Sequence, residues 1–117
     1  MKDLAIYNIL TINGACRETD RGAMKVRFSK RVLNHIVKRH PEVEAHVHKI
    51  AETVEYPEVI IRGTRGELKA LKFYPALPIG PKYLVVVYRE IHEEKVIITA
   101  YFTSNLAKIR GEIIWIK

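Results

Sequence analysis

The order of patterns along this chain of 117 residues predicts an α+β domain: two N-terminal helices packed on one face of a four- to five-stranded antiparallel sheet. Two observations carry the prediction. Apolar residues recur at helical spacing between Ser29 and Glu55, and after Tyr56-Pro57 the pattern turns into short extended runs separated by turn signals. The length suits a single ordinary core.

Residues 1–23 read as an N-terminal arm or appendage, and 24–117 as the domain itself. Within the arm, Leu4 to Ile12 suits either a short strand or a helix, Asn13-Gly14 is a turn signal, and Ala15 to Gly22 reads as loop. Met24 would make a sensible start on its own, so the arm is either a docking segment or the product of an alternative start.

Ser29 is a good N-cap for a first helix over Lys30 to Arg39. Leu33, Ile36, Val37 and position 40 form its apolar stripe, while Arg31, His35 and Arg39 share another face. Pro41 biases His40 away from helical geometry and then suits the first turn of a second helix reaching Glu55. Val43, Val47, Ile50, Ala51 and Val54 supply the buried side of that helix.

Four strands follow: Val59 to Arg62, Glu67 to Tyr74, Tyr83 to Ile91 and Lys95 to Ser104. Leu84-Val-Val-Val-Tyr88 is nearly all apolar and belongs at the sheet's centre. Ile113 to Ile116 reads as a fifth strand or as a tail on the core. In the last hairpin, Val96, Ile98, Ala100 and Phe102 should face the core, leaving Ile97, Thr99, Tyr101 and Thr103 on a polar face. An even connector adds Tyr88 and Glu90 to that polar face; an odd one adds Arg89.

Charge is unevenly distributed within the net +7. Lys25, Arg27, Lys30, Arg31, Lys38 and Arg39 crowd one stretch without an acid, and the second helix is acidic. A polyanion would be drawn to that basic lobe, and His35 and His40 inside it titrate near neutral pH. No apolar run has the length of a membrane span, and no signal peptide is recognisable. The single Cys16 excludes an internal disulfide and points to a reducing cytoplasm. The lack of glutamine beside abundant Lys, Arg, Glu and Ile resembles the composition of thermophile proteins.

The candidate chemistry is that of histidine, arginine and tyrosine. No HExxH, paired-cysteine motif, carboxylate cluster or phosphate-binding glycine loop is present, so neither a metal nor a cofactor is expected. His40 serves equally well as a general acid or base or as a structural corner residue. His35, flanked by Arg31 and Arg39, is either a solvated surface residue or the alternative proton carrier. Gly63-Thr-Arg-Gly66 is a hairpin turn whose Arg65 could reach a phosphate.

Phe28-Ser29, Arg39-His-Pro-Glu42, Leu84-Val-Val-Val-Tyr-Arg89 and Ile97-Ile-Thr-Ala-Tyr-Phe-Thr103 occur in an order that resembles the small nucleases of the barnase–EndoU–colicin–RelE superfamily. Their phage- and toxin-associated branches are the most similar, over about residues 26–104. The resemblance implies a metal-independent endoribonuclease that cleaves RNA by 2′-hydroxyl transesterification, as the toxin of a toxin–antitoxin pair. It matches His35, Arg39 and His40 to the helical basic position, Arg89 or Tyr88 to the mid-sheet position, and Thr99, Tyr101 or Thr103 to the last strand. In that reading His40 or His35 is the base, Arg39 and Arg89 stabilise the phosphate, and Tyr101 and Thr103 contact substrate or protonate the leaving group. Lys25, Arg27, Lys30, Arg31, Lys38, Arg65, Tyr88 and Thr99 would contact RNA. The alternatives are a non-catalytic RNA-binding module and a protein-interaction domain.

Overall fold

A computed structural model describes residues 25–117; the expectations for residues 1–23 lie outside the described residues. The chain is α+β, with two α-helices and a six-stranded mixed sheet. Strand β1 is Lys25–Arg27, followed by helix α1 (Lys30–Arg39), a 3-10 segment (Pro41–His46) and helix α2 (Val47–Glu55). The remaining strands are β2 (Val59–Arg62), β3 (Leu68–Tyr74), β4 (Lys82–Ile91), β5 (Glu94–Thr103) and β6 (Glu112–Ile116). In space the order is β1-β5-β4-β3-β2-β6, with β1 parallel to β5 and every other pair antiparallel.

Local chemistry explains most boundaries. The Ser29 hydroxyl accepts the Val32 N–H at 3.2 Å and so starts α1. His40, at φ −136° and ψ 73°, stops it while still donating its N–H to the Ile36 carbonyl at 2.7 Å. The sequence predicts an uninterrupted second helix from Pro41; instead its first six residues wind as 3-10 and only Val47–Glu55 is α-helical. Proline brings no N–H to the first turn, and 3-10 turns are frequent at such helix starts.

One core joins helices and sheet. Ile36, Val43, Ile50 and Val54 pack with Ala70, Leu84, Val86, Tyr88, Ile97 and Ala100, together with Val26 and Phe28 around β1. Sequence periodicity does not reveal β1, because three residues with only Val26 buried are too short for a pattern to register. This strand turns an expected four- to five-stranded antiparallel sheet into a six-stranded mixed one. Residues Ile113 to Ile116 form a strand rather than a tail.

The opposite face of the sheet is partly covered as well. Since β5 lies second in the sheet and β6 last, residues 104–111 must pass β4, β3 and β2. The crossing packs Ile109 against Ile61, Leu71, Val85 and Val87, and the Lys69 ammonium donates to the Arg110 carbonyl at 2.8 Å. Apolar residues on both faces of β4 are therefore buried, which accounts for its continuous apolar run. Among the described residues no helix is long and apolar enough to cross a membrane.

Candidate active site at the helix corner

The stop signal that ends α1 also aims a histidine. With its backbone turned out of the helix, His40 reaches the outer flank of β5, where its ring lies 5.7 Å from that of Tyr101 and is tilted by 35°. The imidazole remains about one-third exposed, and its Nδ1 lies 3.9 Å from a Glu42 carboxylate oxygen. That separation is too long for a hydrogen bond. Lys38 and Arg39 occupy the last turn of α1, beside this corner, and are exposed. They sit at the negative end of the helix dipole, where cations are favoured.

Tyr101 is half-buried, and burial raises its phenol pKa above the ordinary value. A phenol so placed stays protonated at neutral pH and offers an O–H donor beside the imidazole. The pair thus combines a group that can accept a proton with one that can give a hydrogen bond.

Tyr101, Thr99 and Thr103 share the face away from the helices, opposite Val85, Val87 and Tyr83 of β4. The connector between β4 and β5 is even, His92-Glu93, yet the residue it brings to this face is Arg89 rather than Tyr88. A register shift explains the inversion. Tyr88 pairs with Ile97 and Val87 with Thr99, so Ile98 is an extra, bulged residue. Ile97 therefore turns into the core instead of joining the polar face, and Ile98 is exposed instead of buried. Tyr88, only 1% exposed, packs in the core and offers no surface for RNA.

Arg89 lies at the far end of this face. Its guanidinium donates to the Arg65 carbonyl at 2.8 Å, so it is tethered to the Gly63–Gly66 turn, where the Arg65 N–H in turn reaches Glu67 at 2.9 Å. On β4 it stands four positions from Val85, the partner of Tyr101. Four strand residues span about 13 Å. Arg89 is thus held toward the Gly63–Gly66 turn, apart from the His40–Tyr101 pair, with Thr99 between them. Thr103 is occupied locally: its hydroxyl accepts the Asn105 N–H at 3.1 Å and shapes the exit from β5.

The other sequence candidates spread outward. Lys30, Arg31 and His35 are exposed on α1, and among the described residues nothing ties His35 to Tyr101 or Arg89. Arg27 is engaged with Glu94 through Nε at 2.7 Å and Nη2 at 2.6 Å, whereas Lys25 stands exposed at the start of β1. Glu42 goes unrecognised in the sequence as a neighbour of the corner histidine, and Lys69 as an anchor of the crossing segment. Glu42 follows His40 by two residues across Pro41, which is the signal that would have found it. Lys69 reveals itself only through the crossing segment. No three His, Cys, Asp or Glu side chains gather as metal ligands would among the described residues. Compared with known proteins, the chain matches no family model, no curated protein and no solved structure.

Proposed function

We propose that this chain is a metal-independent endoribonuclease whose reaction centre is the His40–Tyr101 corner. The observation that carries the reading is the ring contact itself, where the basic end of α1 meets the hydroxyl-bearing face of β5. Neutral His40 removes the proton from a ribose 2′-hydroxyl as that oxygen bonds to the adjacent phosphorus. Lys38 and Arg39 stabilise the charge building on the phosphoryl oxygens. The bond from phosphorus to the 5′ oxygen breaks, and that oxygen takes a proton from the Tyr101 phenol or from water. The products are a 2′,3′-cyclic phosphate and a 5′-hydroxyl. Thr99, Arg89 and Arg65 lie along the path that the continuing strand would follow, as contacts to neighbouring phosphates.

A non-catalytic RNA-binding module is the second reading, favoured by the distance between Arg89 and the corner. It predicts salt-dependent binding with intact RNA. As the toxin of a pair, the protein would also have a protein antitoxin covering this face. Incubation with RNA in excess chelator tests the proposal. Cleavage that His40→Ala abolishes supports it; no cleavage, or cleavage indifferent to His40→Ala, overturns it.

A further inference from the structure

The edge of the sheet farthest from the corner has a different character. Among the described residues, strand β6, Glu112-Ile-Ile-Trp-Ile116, pairs with β2 on one side only, and it carries no charge between its ends. Ile113 is 56% exposed, Ile114 39%, Trp115 42% and Ile116 65%. Four large apolar residues on a free strand edge form a template for pairing with another strand.

The sequence of the edge indicates the occupant. Read antiparallel to itself, with Ile114 opposite Trp115 of a second copy, the strand places Ile113 opposite Ile116 and Glu112 opposite Lys117. Both ends of such a two-fold pairing therefore match acid with base. Facing residues must also lie on the same side of the sheet, and residues an odd number apart in a regular strand do not. The two outer pairs do here, because β6 carries a register shift. Trp115 pairs with Ile60 and Ile113 with Ile61, which leaves Ile114 as the extra residue. Consequently Ile113, opposite Ile61, and Ile116, opposite Val59, both face away from the helices. Glu112, opposite Arg62, shares the other side with Leu68, and Lys117 follows Ile116 onto that side, its N–H bonded to the Glu58 carbonyl at 2.9 Å. The register that matches the charges is the one the bulge makes possible.

We propose that two copies of this chain join through antiparallel β6–β6 pairing, forming one continuous sheet with the Glu112–Lys117 match at each end. The helix corners then lie toward the two outer ends of that sheet, away from the junction. A strand edge and four apolar side chains make a small interface, so the association should be weak, on the order of micromolar.

Sedimentation equilibrium of the full chain from about 1 to 100 µM reads the association directly. A concentration-dependent species of twice the 13.5 kDa chain mass is expected. Ile116→Lys should abolish it. Glu112→Lys and Lys117→Glu should each weaken it about fivefold or more, since each change creates like-charge pairs at both ends. The double variant Glu112→Lys/Lys117→Glu should return it to within about twofold of the parent, because both pairs re-form with reversed polarity. This rescue separates association from folding: the double variant still sets a lysine beside Arg62 of its own chain, and circular dichroism reports whether each protomer stays folded. A monomer at every concentration, a dimer insensitive to these changes, or singles weakened without rescue would overturn the proposal. So would a monomer whose β6 amides resist hydrogen exchange, since another occupant then covers the edge.

Discussion

The two edges of the sheet manage the same physical problem in opposite ways. At one, β1 is three residues long, its Lys25 and Arg27 are exposed, and the helix corner leans over the adjoining length of β5. At the other, β6 is five residues of mostly exposed apolar surface. Short length and charge are common protections against edge pairing; β6 carries charge only at its ends, Glu112 and the following Lys117, with an aromatic and aliphatic run between them. The basic character of the chain is therefore local. The α1 stretch crowds basic side chains together, whereas β6 presents an apolar run between Glu112 and Lys117.

The most damaging change strikes the first edge. His40→Ala should lower RNA cleavage by at least about 100-fold, the scale of a lost general base, whereas His35→Ala should change it less than about threefold. Cleavage rates on one labelled RNA compare the two. Tyr101→Phe keeps the ring beside His40 but removes the hydroxyl; a loss of about 10-fold is expected, reported by the same assay.

The second edge is broken through its anchor. Gly111 precedes β6 at φ +130°, and a Cβ there would collide with the Arg62 carbonyl. Gly111→Ala should therefore cost about 1–3 kcal/mol and free β6 first, seen as faster hydrogen exchange in residues 112–116 than in β4.

A pH experiment separates the corner from its support. The ring of His46 meets Phe102 edge-on at 5.6 Å, and its Nδ1 is buried with no hydrogen-bond partner among the described residues. Burial, with help from Lys49 and His48, holds its pKa below the ordinary histidine value. The folded protein thus takes up this proton less readily than the unfolded chain. Stability should fall as pH drops through the ordinary histidine range and level off below the depressed value. Thermal melts from pH 7.5 to 5 check this, and His46→Phe should flatten the dependence. The mildest change lies in the β4–β5 turn, where His92 at φ 51° and Glu93 at φ 64° occupy left-handed backbone. Replacing them with Asn-Gly should stabilise the protein by about 0.5–1 kcal/mol in a denaturant titration.

What the sequence made legible was local. The Ser29 cap, the His40-Pro41 stop and four strands needed only neighbouring residues, and each reappears within about a residue of its expected limits. The corner pair was legible as a question, since His40 and Tyr101 were both candidates but their meeting depends on residues about sixty positions apart. The bulge at Ile98 was not legible, because one extra residue within Val96-Ile-Ile98 leaves the apolar pattern unchanged while reversing which of Tyr88 and Arg89 is exposed. Nor was the crossing of residues 104–111, where Ile109 packs against the sheet while Leu106 and Ala107 stay exposed. Long-range placement, not residue chemistry, was the missing information.

If the helix-corner edge is a reaction centre and the β6 edge is not, the ends of RNA fragments will report it. Mapping those ends after incubation in excess chelator should find 2′,3′-cyclic phosphates from the parent protein and from Ile116→Lys, and intact RNA from His40→Ala. Intact RNA from the parent, or equal cleavage by the parent and His40→Ala, would contradict the assignment.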